Sequence, residues 1–470
     1  MIHFGTGGWR AIIGDEFTKA NVQLLTLALA RVMKAEKADQ QGFCIGYDRR
    51  FLSDTAARWA AEVMAEEGIH CKILKKEAPT PLIMFTIKQQ GMKYGMAVTA
   101  SHNPALYNGI KVFTEGGRDA DESITRKIEE AVVSAAGCPI PVMDYDHAIQ
   151  LGLVEEIDPF NDYIDSILHA VDLEAVKKRR LKIALDPMYG VSQTSLQTIL
   201  MTARCDVGVI HDRHDTLFGG KLPAPNESTM KSLKRYVLEH QCDLGIATDG
   251  DADRIGVIDD KGVFLHPNQI LTLLYYYLLK YKGWSGPAVR NNSTTHMLDK
   301  VAHSFGEICY EVPVGFKYVS AKMRETGALI GGESSGGLTV RGHIEGKDGI
   351  YAAALLVEMV AVTGKKLSEL YQEIEDIYGT LYTKELDFRM KPERKQELSR
   401  LLFHEKKLPD FGLRVETVSF EDGCKICFDN GGWLIGRFSG TEPLLRICCE
   451  MPEEKTAQDT VQRFCSFLGL

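Results

Sequence analysis

The chain has 470 residues, 44% of them apolar and 25% charged, a balance that excludes disordered and fibrous classes and is too long for a single hydrophobic core. Three or four domains are expected. A formal net charge of -9 argues against a broad nucleic-acid-binding or anionic-membrane-binding surface, so any anionic ligand must be met by local basic clusters.

In chain order, MIHFGTGGWRAIIGDEF lacks the basic and apolar regions of a secretory signal, and the expected location is cytoplasmic. ANVQLLTLALARVMKAE has helical periodicity, GFCIGYD reads as a short buried strand, DTAARWAAEVMAEEG as a helix stopped by Gly68, and HCKILK as the next strand. That βαβ rhythm restarts near LKIALDPMYG, continues to DLGIATDGD, and starts a third time around GPAVRNNSTTHMLDKVAHSFG. The fold class predicted is therefore α/β, with three similar αβ domains of mixed, mostly parallel sheets around a central cleft. A different C-terminal α+β domain follows, because strands VETVSF, CKICF and GWLIGRF come after the charged run RMKPERKQELSRLLFHEKKLP. The expected divisions are 1–150, 151–257, 258–372 and 373–470, with a hinge near DIYGTLY where a helix meets a glycine. The apolar runs ILTLLYYYLL and YAAALLVEMVAV fall short of the roughly 20 residues that span a bilayer, so no membrane partner is expected.

Eleven scattered cysteines fit reduced thiols better than a disulfide framework. Cys424 and Cys427 form a Cys-x-x-Cys, but on an alternating strand they point to opposite faces and cannot share a metal ion. His211 and His214 lack a third ligand nearby and read as a solvated loop.

Four stretches carry chemistry. VTASHNPALYNGIK puts Ser101 among small polar residues, where it could be a hydrolase nucleophile, a carrier of another group or a turn residue. His102 gives Ser101 no direct help if the segment is extended, since neighbouring side chains then diverge. TDGDADR follows the apolar strand DLGIA; an extended loop would aim Asp249, Asp251 and Asp253 the same way, as hard oxygen ligands suited to Mg²⁺. A calcium EF-hand is excluded by Arg254 where glycine is needed and by Asp260 at the twelfth place. GESSG, residues 332–336, matches a nucleophile elbow, yet the glycines and β-branched residues that follow do not start a helix. Glu333 and Ser335, after Gly332, instead offer an acceptor and a donor for vicinal sugar hydroxyls. In GRFSGTEPLLR, Arg437, Ser439, the Gly440 amide and Thr441, with Arg446 close behind, make a compact phosphate-binding donor set outside any Walker pattern. Together these are a serine, a bivalent cation, a hydroxyl clamp and a remote phosphate anchor, from which it follows that the serine carries phosphate.

With those residues in hand the chain resembles the α-D-phosphohexomutase superfamily, the phosphoglucomutases and phosphomannomutases: FGTGGWR, TASHNP, DGDADR, GESSGG and RFSGTEP occur in the family's order over essentially the whole chain. The resemblance implies a phosphorylated Ser101 that gives its phosphoryl group to a hexose 1-phosphate and recovers the other phosphate from a hexose 1,6-bisphosphate. It implies Mg²⁺ held by Asp249, Asp251, Asp253 and a serine phosphate oxygen, with Lys111 and His102 as general acid and base candidates and Arg10 and Arg254 supporting charge. The clamp GESSGG with Lys317 in PVGFK looks more like glucose-preferring members than phosphoglucosamine members, so a small-molecule sugar phosphate, glucose 1-phosphate first, is the expected substrate. Mannose or dual specificity is the alternative. An aspartate-nucleophile phosphatase would leave TASHNP idle, and a non-catalytic sugar-phosphate sensor would be expected to have lost the serine or a metal ligand.

Overall fold

The computed structural model describes residues 2–5, 7–439 and 444–470. The first three domains repeat one topology. In the first, parallel strands Phe43–Tyr47, Cys71–Leu74 and Tyr94–Val98 are followed by Tyr107–Thr114, which turns back antiparallel on Tyr94–Val98. In the second, Lys182–Asp186, Asp206–Val209 and Leu244–Thr248 are parallel and Ile255–Ile258 returns on the last of them. In the third, Ala288–Asn291, Cys309–Val312 and Ile330–Gly332 are parallel and Leu338–Val340 returns. Strand order is the same each time: returning strand, third, first, second. The connections between third and returning strands are 99–106, 249–254 and 333–337, so the three motif loops are one equivalent loop used three times, at the carboxyl ends of parallel strands where α/β sheets bind ligands.

The fourth domain is a five-stranded antiparallel sheet ordered Tyr382–Arg389, Leu444–Met451, Trp433–Phe438, Cys424–Phe428, Val415–Ser419, packed under the helix Glu454–Leu468. Its core, built on Phe428, Ile447 and Phe464, is separate from the core that runs through the second and third domains and takes in Ala97 and Phe113 of the first.

Three details differ from the divisions expected at 150, 257 and 372. Val154–Ile157 adds a strand to the first sheet, Phe264–Leu265 adds one to the second, and the helix Leu367–Tyr378 runs through 372 and ends at Gly379. Val154–Ile157 carries two central glutamates and Phe264–Leu265 is only two residues long, so periodicity alone does not show them. The apolar runs are buried helices, Pro267–Lys280 and Gly349–Thr363, started respectively by a His266 capping box and by Asp348, whose carboxylate accepts the Ile350 and Tyr351 amides. A helix apolar on all sides belongs inside a large core. No helix among the described residues is long and apolar enough to cross a membrane.

Helix Leu367–Tyr378 is tied to Pro267–Lys280 through Glu373, which accepts from Tyr276 Oη at 2.8 Å and Lys280 Nζ at 2.5 Å, and also from Lys365. Burial pushes this carboxyl up, but the hydrogen bonds from Lys280, Lys365 and Tyr276 outweigh it and hold the group at about 2, below its ordinary 4.5. A depressed carboxyl stabilises the fold fully above about pH 4.5 and loses that contribution as pH falls toward 2. We expect Glu373→Gln to cost roughly 1 kcal/mol at pH 7, the scale of a solvent-screened ion-pair group, with the gap to wild type closing in urea melts taken from pH 5 down to 3. A gap independent of pH would refute the assignment.

All eleven cysteines are free thiols. Cys424 is buried and Cys427 half-buried on one strand, as its alternation requires. His214 is exposed, as expected, but His211 is not simply solvated: its Nδ1 lies 3.0 Å from Asp186 Oδ2 and its ring packs on Tyr189 with centroids 5.0 Å apart.

Candidate active site

Ser101 follows strand Tyr94–Val98 and is 1% exposed. Its backbone is left-handed, φ +51°, not extended, and this overturns the expectation that His102 diverges from it: Ser101 Oγ and His102 Nδ1 are 3.3 Å apart. Ser101 Oγ donates to Asp249 Oδ2 at 2.8 Å, and the Ser101 amide donates to Thr99 Oγ1 at 2.8 Å. Gly250 makes the approach possible, since a Cβ there would stand 2.7 Å from the Ser101 carbonyl oxygen.

The aspartate loop is likewise a tight turn and not an extended segment, with Ala252 at φ +62°. The turn still gathers Asp249, Asp251 and Asp253, all fully buried, with one oxygen of each inside 4.8 Å of the others. Lys111 Nζ donates to Asp251 Oδ2 and Asp253 Oδ2, both at 2.6 Å, Thr80 Oγ1 donates to Asp251 Oδ2 at 2.7 Å, and Lys347 Nζ lies 2.8 Å from Asp253 Oδ2. Asp251 Oδ1 and Asp253 Oδ1 are buried with no hydrogen-bond partner among the described residues. Orphaned carboxylate oxygens inside a compact all-oxygen set are what a hard cation such as Mg²⁺ takes as ligands, so the residues fit that ion.

The charges explain one another. Burial, then Asp251 and Asp253, push Asp249 well above the usual carboxylate range. Burial would raise Asp253 too, but Lys111, Lys347 and Arg254 outweigh it and hold it well below that range. Burial would lower Lys111, yet Asp251 and Asp253 raise it, so this lysine is an ammonium here. On the other side of Ser101 the field is positive: Arg254, burial and Arg10 drive His102 well below its ordinary value, and burial and Arg254 lower Arg10. Arg10 is fixed by its hydrogen bond to Asn103, and Arg254 by its amide on Asp249 Oδ1 at 3.1 Å. A buried hydroxyl between a carboxylate cage and crowded cations suits a dianion bridging the two.

The GESSG loop closes a β-hairpin between Ile330–Gly332 and Leu338–Val340, so no nucleophile elbow exists there. Glu333 Oε1 accepts from Asn291 Nδ2 at 3.1 Å and from the Gly315 amide at 3.0 Å. Ser335 is exposed beside it, and Lys317 reaches Glu122 Oε1 of the first domain at 3.0 Å. The phosphate-anchor residues are only partly brought together. Arg437 Nε donates to Asp422 Oδ1 at 2.8 Å, and Asp422 Oδ2 accepts the Val314 amide at 2.7 Å, so the fourth domain docks beside the segment that binds Glu333. The Ser439 carbonyl accepts from Lys395 Nζ at 2.9 Å. Arg446 pairs in register with Arg437 but gives its guanidinium to Asp387 at 2.8 and 3.1 Å. Gly440 and Thr441 lie outside the described residues.

Sequence reasoning missed Lys347, Thr80 and Arg50. Lys347 sits in GKDG just before a buried helix, on a loop fastened by Tyr163 Oη to Asp348 at 2.8 Å and His343 Nε2 to Asp348 at 2.6 Å. Nothing in that short stretch signals a lysine aimed into another domain's carboxylates. Arg50, in YDRR after a buried strand, carried a faint signal, an arginine pair at a carboxyl end.

Comparison with known proteins gives matches along nearly the whole chain. Family models of the phosphoglucomutase/phosphomannomutase αβα domains I, II and III match residues 1–136, 161–262 and 266–378, and that of the C-terminal domain matches 360–466. A phosphoglucomutase/phosphomannomutase of Thermococcus kodakarensis is 31% identical over 98% of this chain and 96% of its own. A phosphoglucosamine mutase of Ruminiclostridium cellulolyticum is 30% identical over 95% and 94%. A solved structure from Thermus thermophilus, 29% identical, superposes with a TM-score of 0.85 over 100% of this chain and 99% of that one.

Proposed function

Because this chain belongs to the phosphoglucomutase/phosphomannomutase family and is a phosphohexomutase-type isomerase, we propose that it interconverts glucose 1-phosphate and glucose 6-phosphate through phosphorylated Ser101 and a glucose 1,6-bisphosphate intermediate. The observation that carries the reading is the buried Ser101 hydroxyl, 2.8 Å from Asp249 at the edge of the aspartate cage, with Arg10 held on Asn103 of the same loop and Arg254 held on Asp249. In the forward direction the Ser101 O–P bond breaks as the hexose 6-hydroxyl oxygen bonds to phosphorus, the 6-hydroxyl proton leaves to a base, and the freed Ser101 Oγ takes up a proton from an acid. The bisphosphate then turns over, and its 1-phosphoryl group returns to Ser101: the bond from phosphorus to the C1 oxygen breaks as Ser101 Oγ, giving its proton to the base, bonds to phosphorus, and the C1 oxygen takes up a proton. Arg10 and Arg254 stabilise charge on the phosphoryl oxygens. From their contacts we assign proton transfer to His102 and Lys111.

Asp249, Asp251, Asp253 and a phosphoserine oxygen would hold Mg²⁺, which when bound neutralises charge on the transferring group. Glu333 and Ser335 form the hydroxyl clamp, supported by Lys317, and Arg437, Ser439, Gly440, Thr441 and Arg446 bind the phosphate that is not being transferred. The cytoplasm, which retains charged sugar phosphates, is the compartment this reading implies.

Glucosamine and mannose 1-phosphates are the competing substrates, since relatives with both kinds of name match almost the whole chain. The test is a coupled assay with Mg²⁺ and a trace of hexose 1,6-bisphosphate, offering glucose, mannose and glucosamine 1-phosphates in turn, with intact mass reporting phosphate on the protein. We expect the highest kcat/KM on glucose 1-phosphate. A higher value on either other sugar overturns the glucose assignment, and binding without turnover of any of them would make the protein a sensor.

A further inference from the structure

Arg50 takes no part in the chemistry above, yet its side chain is fully buried directly behind Ser101. Its Nη2 donates to the carbonyl oxygens of Ser101 and Asn103, each at 2.6 Å, and its Nη1 to those of Pro104 at 2.9 Å and Tyr107 at 3.0 Å. One guanidinium thus gathers four carbonyls of the 101–107 loop, of which that of Pro104 also accepts the Tyr107 amide at 3.0 Å. The cation is anchored in turn by Asp48, whose Oδ2 lies 3.3 Å from Arg50 Nε. Asp48 is itself fixed by Thr99 Oγ1 at 2.6 Å and Ser53 Oγ at 2.8 Å. Phe218, contributed by the second domain, lies with its ring centroid 4.8 Å from the guanidinium carbon.

We infer that Arg50 is a positioning residue for phosphoryl transfer: it grips the Ser101 loop by its carbonyls, keeping the left-handed Ser101 aimed at the aspartate cage, and Phe218 makes that grip depend on docking of the second domain. The inference rests on the reading of Ser101 as phosphoryl carrier. A lysine cannot replace the fork, because an ammonium offers three donors from one point and not a planar set reaching four acceptors.

The test uses the full-length protein with Mg²⁺. In Arg50→Lys and Arg50→Gln, kcat is expected to fall about 100-fold, the scale of a 1 Å misplacement of a reacting group, with KM within about threefold because the substrate contacts lie on other loops. Amide exchange should quicken at 101–107 and stay unchanged in the strands Phe43–Tyr47 and Cys71–Leu74. Full activity in Arg50→Lys, or a kcat loss with no change in exchange at 101–107, overturns the inference. If the single variants do not fold because Asp48 is left buried and unpaired, the pair Asp48→Asn with Arg50→Gln removes both charges and is read the same way. In the unmodified protein, the Ser101 and Asn103 amides should exchange as slowly as those of Tyr94–Val98, and exchange within seconds overturns the inference whatever the variants do. The exchange measurements need no turnover, so they separate this inference from a failure of the Ser101 reading.

Discussion

Replacing Ser101 by alanine is expected to lower mutase turnover by about 10⁴-fold or more, the scale seen when a covalent nucleophile is removed. The protein should also stop retaining phosphate after incubation with hexose 1,6-bisphosphate, as read by intact mass. The fold should survive. The hydroxyl contacts Asp249 and His102, whereas the loop is held through backbone groups, by Arg50 on its carbonyls and by Thr99 on the Ser101 amide. Loss of one buried hydrogen bond costs about 1–3 kcal/mol, too little to unfold a domain with this much core. Turnover within tenfold of wild type in a folded Ser101→Ala protein would remove the phosphoserine from the mechanism.

The residues behind that effect are legible in the sequence. Ser101, the three aspartates and Glu333 each lie on a connection between a buried strand and its returning partner, where polar residues interrupt an apolar run. Such an interruption is visible without a structure. The three αβ repeats were legible for the same reason, since buried parallel strands alternate with amphipathic helices. What the sequence concealed is set by tertiary packing. Lys347 reaches Asp253 from the third domain, and Thr80 reaches Asp251 from the first, contacts between residues far apart in the chain that no local pattern encodes.

Backbone geometry was the other blind spot. The expectation that alternate aspartates converge came true through a tight turn at Ala252, not through an extended loop. Similarly, His102 reaches Ser101 because the serine is left-handed, a conformation non-glycine residues adopt uncommonly and only where surrounding contacts hold it. Local rules assume the common conformation and so misplace side chains at strained sites. The repeated hairpin loop also gives a reason for the division of labour. Three copies of one connection could diverge into the proposed nucleophile, metal cage and sugar clamp while the sheets beneath them kept the same strand order.

The cage itself yields the second large effect. Asp253→Asn is expected to lower turnover roughly 10³-fold, since charge stabilisation by a bound metal at the transferring phosphoryl group is worth several kcal/mol. The Mg²⁺ concentration for half-maximal activity should rise more than about tenfold. Asp253 is the member to change because both Lys111 and Lys347 lie against its Oδ2, at 2.6 and 2.8 Å, and its Oδ1 is one of the orphaned oxygens. Neutralising it removes a ligand and also takes from two buried ammonium groups the carboxylate they share, leaving Asp251 on Lys111 and the nearby Asp119, so stability should drop by about 3 kcal/mol, the cost of breaking a buried ion pair from one side. The two consequences can be told apart. In Lys347→Met the pairing is lost while all three carboxylates remain, so a Mg²⁺ requirement near wild type is expected there beside the raised requirement of Asp253→Asn. An unchanged Mg²⁺ dependence in Asp253→Asn would mean that the carboxylates serve the lysines alone, and the phosphoryl group would then have to be neutralised by Arg10 and Arg254 without a metal ion.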